Sequence, residues 1–201
     1  MITDFINYNT VAKTKINQEL KTFFKKKKVF SGLAFWKEDI STRFLDFCRQ
    51  GKAVRGTLVM LATQIFADKP VEGTESVAAA LEILHSSLLI HDDFMDQDLL
   101  RRGQPTFVKQ YAVLLNRKVN HDSTGLAICA GDIGFFLGFN MLVTNSKLSP
   151  TQKQKLVELF AGYMEEVGLA QMQDIWFAIP GHQPKSSRQI LDMYRSKTGH
   201  Y

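Results

Sequence analysis

The chain has 201 residues and is 45% hydrophobic, enough apolar content to bury a core as one domain over 1–201. Its 25 basic and 20 acidic residues leave a net charge of +5, which excludes a strongly basic nucleic-acid surface with aromatics spread among the charges. Two cysteines, Cys48 and Cys129, make no disulfide framework, so a reducing cytoplasm is the expected location.

All the elements read as helix. Phe5, Tyr8, Ala12, Ile16, Leu20 and Phe23 recur at helical spacing and mark a first amphipathic helix. No apolar run follows a basic start there, since Asp4 and Asn7 interrupt it, so no signal peptide is expected. The lysines 25–28 read as its solvated end, favourably placed against the helix dipole. Ile40, Phe44, Leu45 and Phe47 give a second helix ending near Gly51, and a third runs from about Thr57 to Ala67, stopped by Asp68, Lys69, Pro70 and Gly73. A fourth carries Leu81, Leu84, Leu88, Leu89 and Leu99, and Gly103-Gln104-Pro105-Thr106 ends it. Past Arg117 a polar loop, 118–124, leads into an apolar helix reaching about Thr144; Asp132, Asn140 and its glycines mark this as a buried helix and not a membrane span. Ser149-Pro150-Thr151-Gln152 is a capping box with proline at the first helical position, and the helix it starts lasts to about Phe177. Pro180 to Pro184 breaks the pattern, and Ser186 with Gln189 caps another helix.

The fourth helix carries the chemistry. At about 100° per residue, His85, Asp92 and Asp96 fall on one narrow stripe, with Asp93 about a quarter-turn away. Carboxylates stacked one turn apart repel, so the arrangement calls for a cation. Magnesium suits it, since that ion takes hard oxygens, keeps waters, and binds through one or two carboxylates plus substrate phosphates. Arg101 and Arg102 follow with the fork geometry that matches phosphate. Taken singly, each part has a plainer reading: an acidic helical turn is usually a solvated face, and a histidine on an apolar face is usually a hydrogen-bonded core residue. Lys52 and Arg55, three apart where a helix starts, form a second anion site near the positive end of its dipole. Alone they would pass for two exposed basic residues on a loop.

The run DDFMD (92–96) followed by RRGQPT (101–106) resembles the first aspartate-rich motif of the trans-isoprenyl diphosphate synthases, the farnesyl and geranylgeranyl diphosphate synthase family. Gly51-Lys52-Ala53-Val54-Arg55, Glu82 with His85, Ala130-Gly131-Asp132, Gln171 with Asp174, and Lys197-Thr198 follow the same family order. The resemblance implies an all-α, antiparallel helical bundle of the isoprenoid synthase type whose C-terminal helices are absent from this sequence. It implies a magnesium-dependent head-to-tail condensation of isopentenyl diphosphate with an allylic diphosphate. Lys52, Arg55, His85 and Arg102 would then hold isopentenyl diphosphate, and Arg101, Lys197 and Thr198 the allylic diphosphate. Asp92 and Asp96 would hold the metal, Asp174 would lie near a metal or its waters with Gln171 at the cavity, and Asp93 would orient its neighbours. Asp92, Asp96, Arg101 and Lys197 form the implied catalytic set. Asp132 reads equally as a buried helix-contact residue and is left out of it. The family pattern also implies a homodimer.

This chain departs from the pattern at Gln50, Ala53, Gly56 and Ala170, where the family commonly has glycine, arginine, proline and glycine. Neither Ser87 nor Leu88 is aromatic at the positions that shorten the product, which implies geranylgeranyl length or longer unless Phe135, Phe136 or Phe139 closes the tail pocket; Ser87→Phe is then expected to shorten the product. No second DDxxD occurs, so the expectation is a truncated synthase, inactive alone. Two alternatives stay open: a noncatalytic prenyl-diphosphate-binding subunit of a heteromeric synthase, and a class I terpene cyclase, which would have no use for Lys52, Arg55 and His85.

Overall fold

The computed structural model describes residues 2–26, 33–69 and 71–199. Lys27 and Lys28 of the basic run, and Pro70, lie outside the described residues. The described residues are 79% helical, with eight α-helices among them. These are α1 (Ile2–Lys26), α2 (Ala34–Gln50), α3 (Val54–Phe66), α4 (Thr74–Met95), α5 (Phe107–Leu114), α6 (His121–Val143), α7 (Pro150–Ala178) and α8 (Ser187–Tyr194), with two short strands, β1 (Leu100–Arg101) and β2 (Gln104–Pro105). Met1–Leu148 and Ser149–Tyr201 form two compact units.

In the first unit α4 and α6 pack along one another more extensively than any other pair. Glycines on α6 make this possible. A Cβ at Gly131 would lie 2.3 Å from the His91 ring, at Gly134 2.3 Å from Ser87 Oγ and Phe44 Cζ, and at Gly138 2.6 Å from Leu84 Cγ. Positions rising along α6 meet positions falling along α4, so the two helices run antiparallel. Ile83, Leu84, Ile90, Ala127, Ala130 and Leu142 are fully buried, and each large aliphatic among them contributes about 1.5–3 kcal/mol. By length and composition α6 is apolar enough to cross a membrane, but its glycine face is taken by α4, which makes it a core helix.

Helix starts follow the capping chemistry. At α6, Asn120 Oδ1 accepts from Ser123 N at 3.0 Å and Ser123 Oγ accepts from Asn120 N at 3.0 Å. The expected box at Ser149 is present, with Gln152 N donating to Ser149 Oγ at 3.2 Å and Ser149 N to Gln152 Oε1 at 2.8 Å. Gln189 N donates to Ser186 Oγ at 3.4 Å as α8 begins. In the second unit α8 and a five-residue π-helical turn, Arg195–Gly199, fold back on α7.

Three readings need correction. The fourth helix stops at Met95, and Leu99 lies beyond it, 45% exposed. The segment 100–105 is a hairpin pairing Leu100 with Pro105 and Arg101 with Gln104. Its turn residues, Arg102 at φ 54 and Gly103 at φ 74, have the left-handed conformation that two-residue hairpins require. A lone Arg-Gly pair is a weak signal for that turn. The third helix begins at Val54 and not Thr57, because Ala53 takes φ 53 and the buried Glu82 carboxylate accepts from Gly56 N at 2.8 Å. The helix Phe107–Leu114 went unassigned in the sequence; its buried Phe107, Val108, Tyr111 and Ala112 crowd into eight residues, too few for a clear period.

Gly134→Ala is expected to destabilise the first unit by about 1–3 kcal/mol through overpacking. Gly125→Ala, where nothing lies within 4 Å, should stabilise α6 by up to about 1 kcal/mol from helix propensity. Urea unfolding of the two variants should therefore shift in opposite directions.

Candidate active site

Asp92 and Asp96 stand one turn apart at the end of α4, where Asp96 still has right-handed helical angles and its N–H donates to Asp92 O at 2.8 Å. The expected stripe is therefore real. Asp93, off the stripe, is 1% exposed and points into the protein. Its Oδ1 accepts from Arg101 Nε, while Arg101 Nη2 donates to Asp92 Oδ2 at 3.2 Å. Its second oxygen, Oδ2, has no hydrogen-bond partner. Burial, only partly offset by Arg101, pushes Asp93 up to about 6. Arg101 thus bridges two adjacent carboxylates.

The hairpin aims Arg101 and is itself anchored. Thr106, fully buried, donates from Oγ1 to Asp98 O at 2.9 Å, and its N–H donates to Leu99 O at 3.1 Å. Gln110 Nε2 donates to Pro105 O at 2.9 Å, and Gln110 Oε1 accepts from Arg43 Nη1 at 2.9 Å. Arg43 also donates to Asp39 at 2.7 Å, and Asp39 accepts from Tyr111 OH at 3.1 Å. That chain of bonds ties the hairpin to α2 and α5. A cavity of about 560 Å³ lies beside it, lined by Asp39, Arg43, Phe47, Gln104 and Pro105 among others, but none of Asp92, Asp96, Arg55 or His85 lines it.

The second cluster gathers around the start of α3. Arg55 Nη1 lies 3.3 Å from His85 Nε2; since guanidinium only donates, Nε2 accepts and the ring carries its proton on Nδ1. Burial first, then the charges of Arg55, Arg102 and Arg101, push His85 down to about 3. Arg102 Nη1 would lie 3.2 Å from a Cβ at Gly51, which puts the second arginine beside the glycine-lysine turn. Lys52 has an exposed side chain. Glu82, 4% exposed, sits beneath them; burial raises its pKa, and Gly56 N, Arg55 and Arg102 oppose that rise. The structure thus brings Arg55, His85 and Arg102 together around Gly51.

In the second unit Lys197 Nζ donates to Asp174 Oδ2 at 2.6 Å. The π-helical turn that carries Lys197 and exposed Thr198 is a distortion frequent at functional sites. Gln171, one turn before Asp174 on α7, is half-buried.

Residues without an expected role also matter. Asp132 is exposed and its Oδ1 lies 3.1 Å from His91 Nε2, while His91 Nδ1 lies 2.9 Å from Ser87 O and its ring stacks on Phe135. Asp132 is thus a helix-contact residue between α6 and α4, as the alternative had it, but an exposed one and not a buried one. Glu82 had a legible signal, an acid embedded in the apolar run Leu81-Ile83-Leu84. Ser87 is fully buried against Gly134 and Phe44, so phenylalanine there would wedge the α4–α6 seam, and the half-buried Leu88 is the position that can take a larger side chain.

Among the described residues no three His, Cys, Asp or Glu side chains form a group that could hold a metal by themselves. The donor set of Asp92 and Asp96, two hard carboxylates with no nitrogen or sulfur ligand, fits magnesium arriving with a phosphate ligand.

His85 makes stability depend on pH. Its folded value of about 3 lies below the unfolded value of about 6.5. Between the two, the unfolded chain binds a proton that the folded one refuses, so stability falls as pH falls through that window. Urea midpoints from pH 6.5 to 4 should drop less for His85→Gln than for the wild type.

The profile of the polyprenyl synthetase family matches residues 38–201. A short chain isoprenyl diphosphate synthase of Methanocaldococcus jannaschii is 30% identical over 92% of this chain and 49% of its own. A farnesyl diphosphate synthase of Haemophilus influenzae is 32% identical over 74% and 47%. The chain thus spans about half the length of the relatives it matches. Among solved structures, a geranylgeranyl pyrophosphate synthase from Corynebacterium glutamicum, complexed with isoprenyl diphosphate and magnesium, superposes with a TM-score of 0.76 at 24% identity, covering 96% of this chain and 56% of that one. The fold is that of the isoprenoid synthases, and the chain belongs to the polyprenyl synthetase family.

Proposed function

We propose that the protein to which this sequence belongs condenses isopentenyl diphosphate with an allylic diphosphate, with magnesium as cofactor. The observation that carries this reading is the pair of separate clusters that α4 forms with its neighbours, one where its end meets the hairpin at Asp92, Asp96 and Arg101, the other where it meets the start of α3 at Arg55, His85 and Arg102. A one-substrate cyclase needs only the first.

Asp92 and Asp96 would hold magnesium, which supplies Lewis-acid neutralisation of a departing diphosphate. Arg101, now paired with Asp92 and Asp93, is the first unit's own donor to that diphosphate; the second unit carries its own polar residues, Lys197 paired with Asp174, and Thr198 and Gln171. Lys52, Arg55, His85 and Arg102 hold isopentenyl diphosphate, with His85 neutral. Positioned reactants and fixed positive charge carry most of the catalysis. A product of geranylgeranyl length or longer is part of the proposal, supported by the absence of an aromatic at Leu88. So is a homodimer, supported by the exposed Ile133, Phe136 and Val143 on α6. A cytoplasmic location is supported by the free Cys48 and Cys129.

The test is incubation of the full-length protein with magnesium, labelled isopentenyl diphosphate and each allylic primer. Chain-extended product is expected, with Asp92→Ala lowering kcat by about 100-fold or more and Arg55→Ala raising KM for isopentenyl diphosphate. Leu88→Phe should shorten the product. Folded protein that incorporates nothing with any primer would overturn the reading.

A further inference from the structure

We infer that Asn9, on α1 and outside the segment that matches the family, is a positioning residue for the diphosphate site: its carboxamide clamps the turn that carries Lys52 and Arg55. Asn9 Nδ2 donates to Lys52 O at 3.2 Å and Asn9 Oδ1 accepts from Thr57 Oγ1 at 2.7 Å, contacts 43 and 48 residues apart in sequence. One side chain thus holds both ends of the 52–57 segment. Neither bond goes to a charged group, so Asn9 acts on the site through the backbone.

The segment needs such a hold. Between the two bonded ends Ala53 adopts φ 53, a conformation that a residue with a Cβ keeps only where its surroundings over-determine it. Thr57 is fully buried, so its hydroxyl requires a partner, and Asn9 is that partner. A third point is fixed by Glu82, which accepts from Gly56 N at 2.8 Å. Gly56 has no slack either, since a Cβ there would lie 2.8 Å from Ile16 Cδ1 and 2.9 Å from Ala78 O. The carboxamide suits both contacts, because it donates from Nδ2 and accepts at Oδ1. Releasing it leaves every anion donor in place but lets the turn sample other conformations, which weakens binding by loss of preorganisation.

The inference rests on the reading of Lys52, Arg55, His85 and Arg102 as a diphosphate site, so the experiment separates the two. Calorimetric titration with inorganic pyrophosphate, in EDTA to silence the aspartates, compares wild type with Arg55→Ala, Asn9→Ala, Thr57→Val, Thr57→Ser and the Asn9→Ala/Thr57→Val double variant, each verified as folded by circular dichroism. Arg55→Ala should lose binding. Thr57→Val, which removes one hydrogen bond, should weaken it about threefold to tenfold, and Asn9→Ala, which removes two, at least as much. Thr57→Ser should bind as wild type, and the double variant should lose less than the two singles combined. In the condensation assay the two single variants should raise KM for isopentenyl diphosphate and leave kcat unchanged. Loss in Arg55→Ala with wild-type affinity in Asn9→Ala overturns the clamp and keeps the site. If Thr57→Val does not fold, Asn9→Ala, at a half-buried position, decides alone. A wild type without pyrophosphate affinity, or an Arg55→Ala that binds normally, removes the site and the clamp with it.

Discussion

Two carboxylates side by side on one helix, Asp92 and Asp93, carry like charge in a partly dehydrated place, and Arg101 answers both. A buried charge left without a partner costs about 3–5 kcal/mol when its pair is broken; a surface pair is worth under about 1 kcal/mol. Asp93 is on the expensive side of that divide and Asp92 is half-way out. This difference sorts their roles: Asp93 fixes the arginine, and Asp92 is exposed enough to exchange it for another cation. Everything that fixes Arg101 therefore matters to the site, from the buried Thr106 to the Arg43–Gln110 link.

The same economy governs the second cluster. Arg55 and Arg102 bring two positive charges close to one neutral imidazole, and the buried Glu82 beneath them offsets part of that charge. Its carboxylate also satisfies Gly56 N–H, one of the orphan donors of a helix start. A single acid thus supports both the electrostatics and the backbone of the anion site. The neutral state of His85 is a consequence of its burial and its cationic neighbours, and it adds no further charge to be balanced.

Much of this was legible in the sequence. The capping box at Ser149, the register of Asp92 over Asp96, and the glycines of α6 as marks of a core helix all follow from short-range rules that the structure obeys. The hairpin at 100–105 did not show, because its cause is tertiary: Asp93 below and Gln110 beside it hold a segment that has little strand propensity of its own. Ser87 misled for a related reason. Its small side chain reads as an open pocket wall, yet the space is filled by α6 backbone approaching at Gly134, which no local pattern discloses. Asn9 was invisible because a polar residue on an amphipathic helix ordinarily faces water, and only the fold brings the 52–57 turn against it.

Arg101 and Arg102 are consecutive residues where β1 enters its turn, yet one reaches the α4 aspartates and the other the glycine at the end of α2. They share a peptide bond, and neither can travel far alone. A ligand that draws Arg101 outward pulls on the backbone that sets the reach of Arg102. The arginines of the two clusters are therefore held by one stretch of backbone, and neither is placed independently of the other.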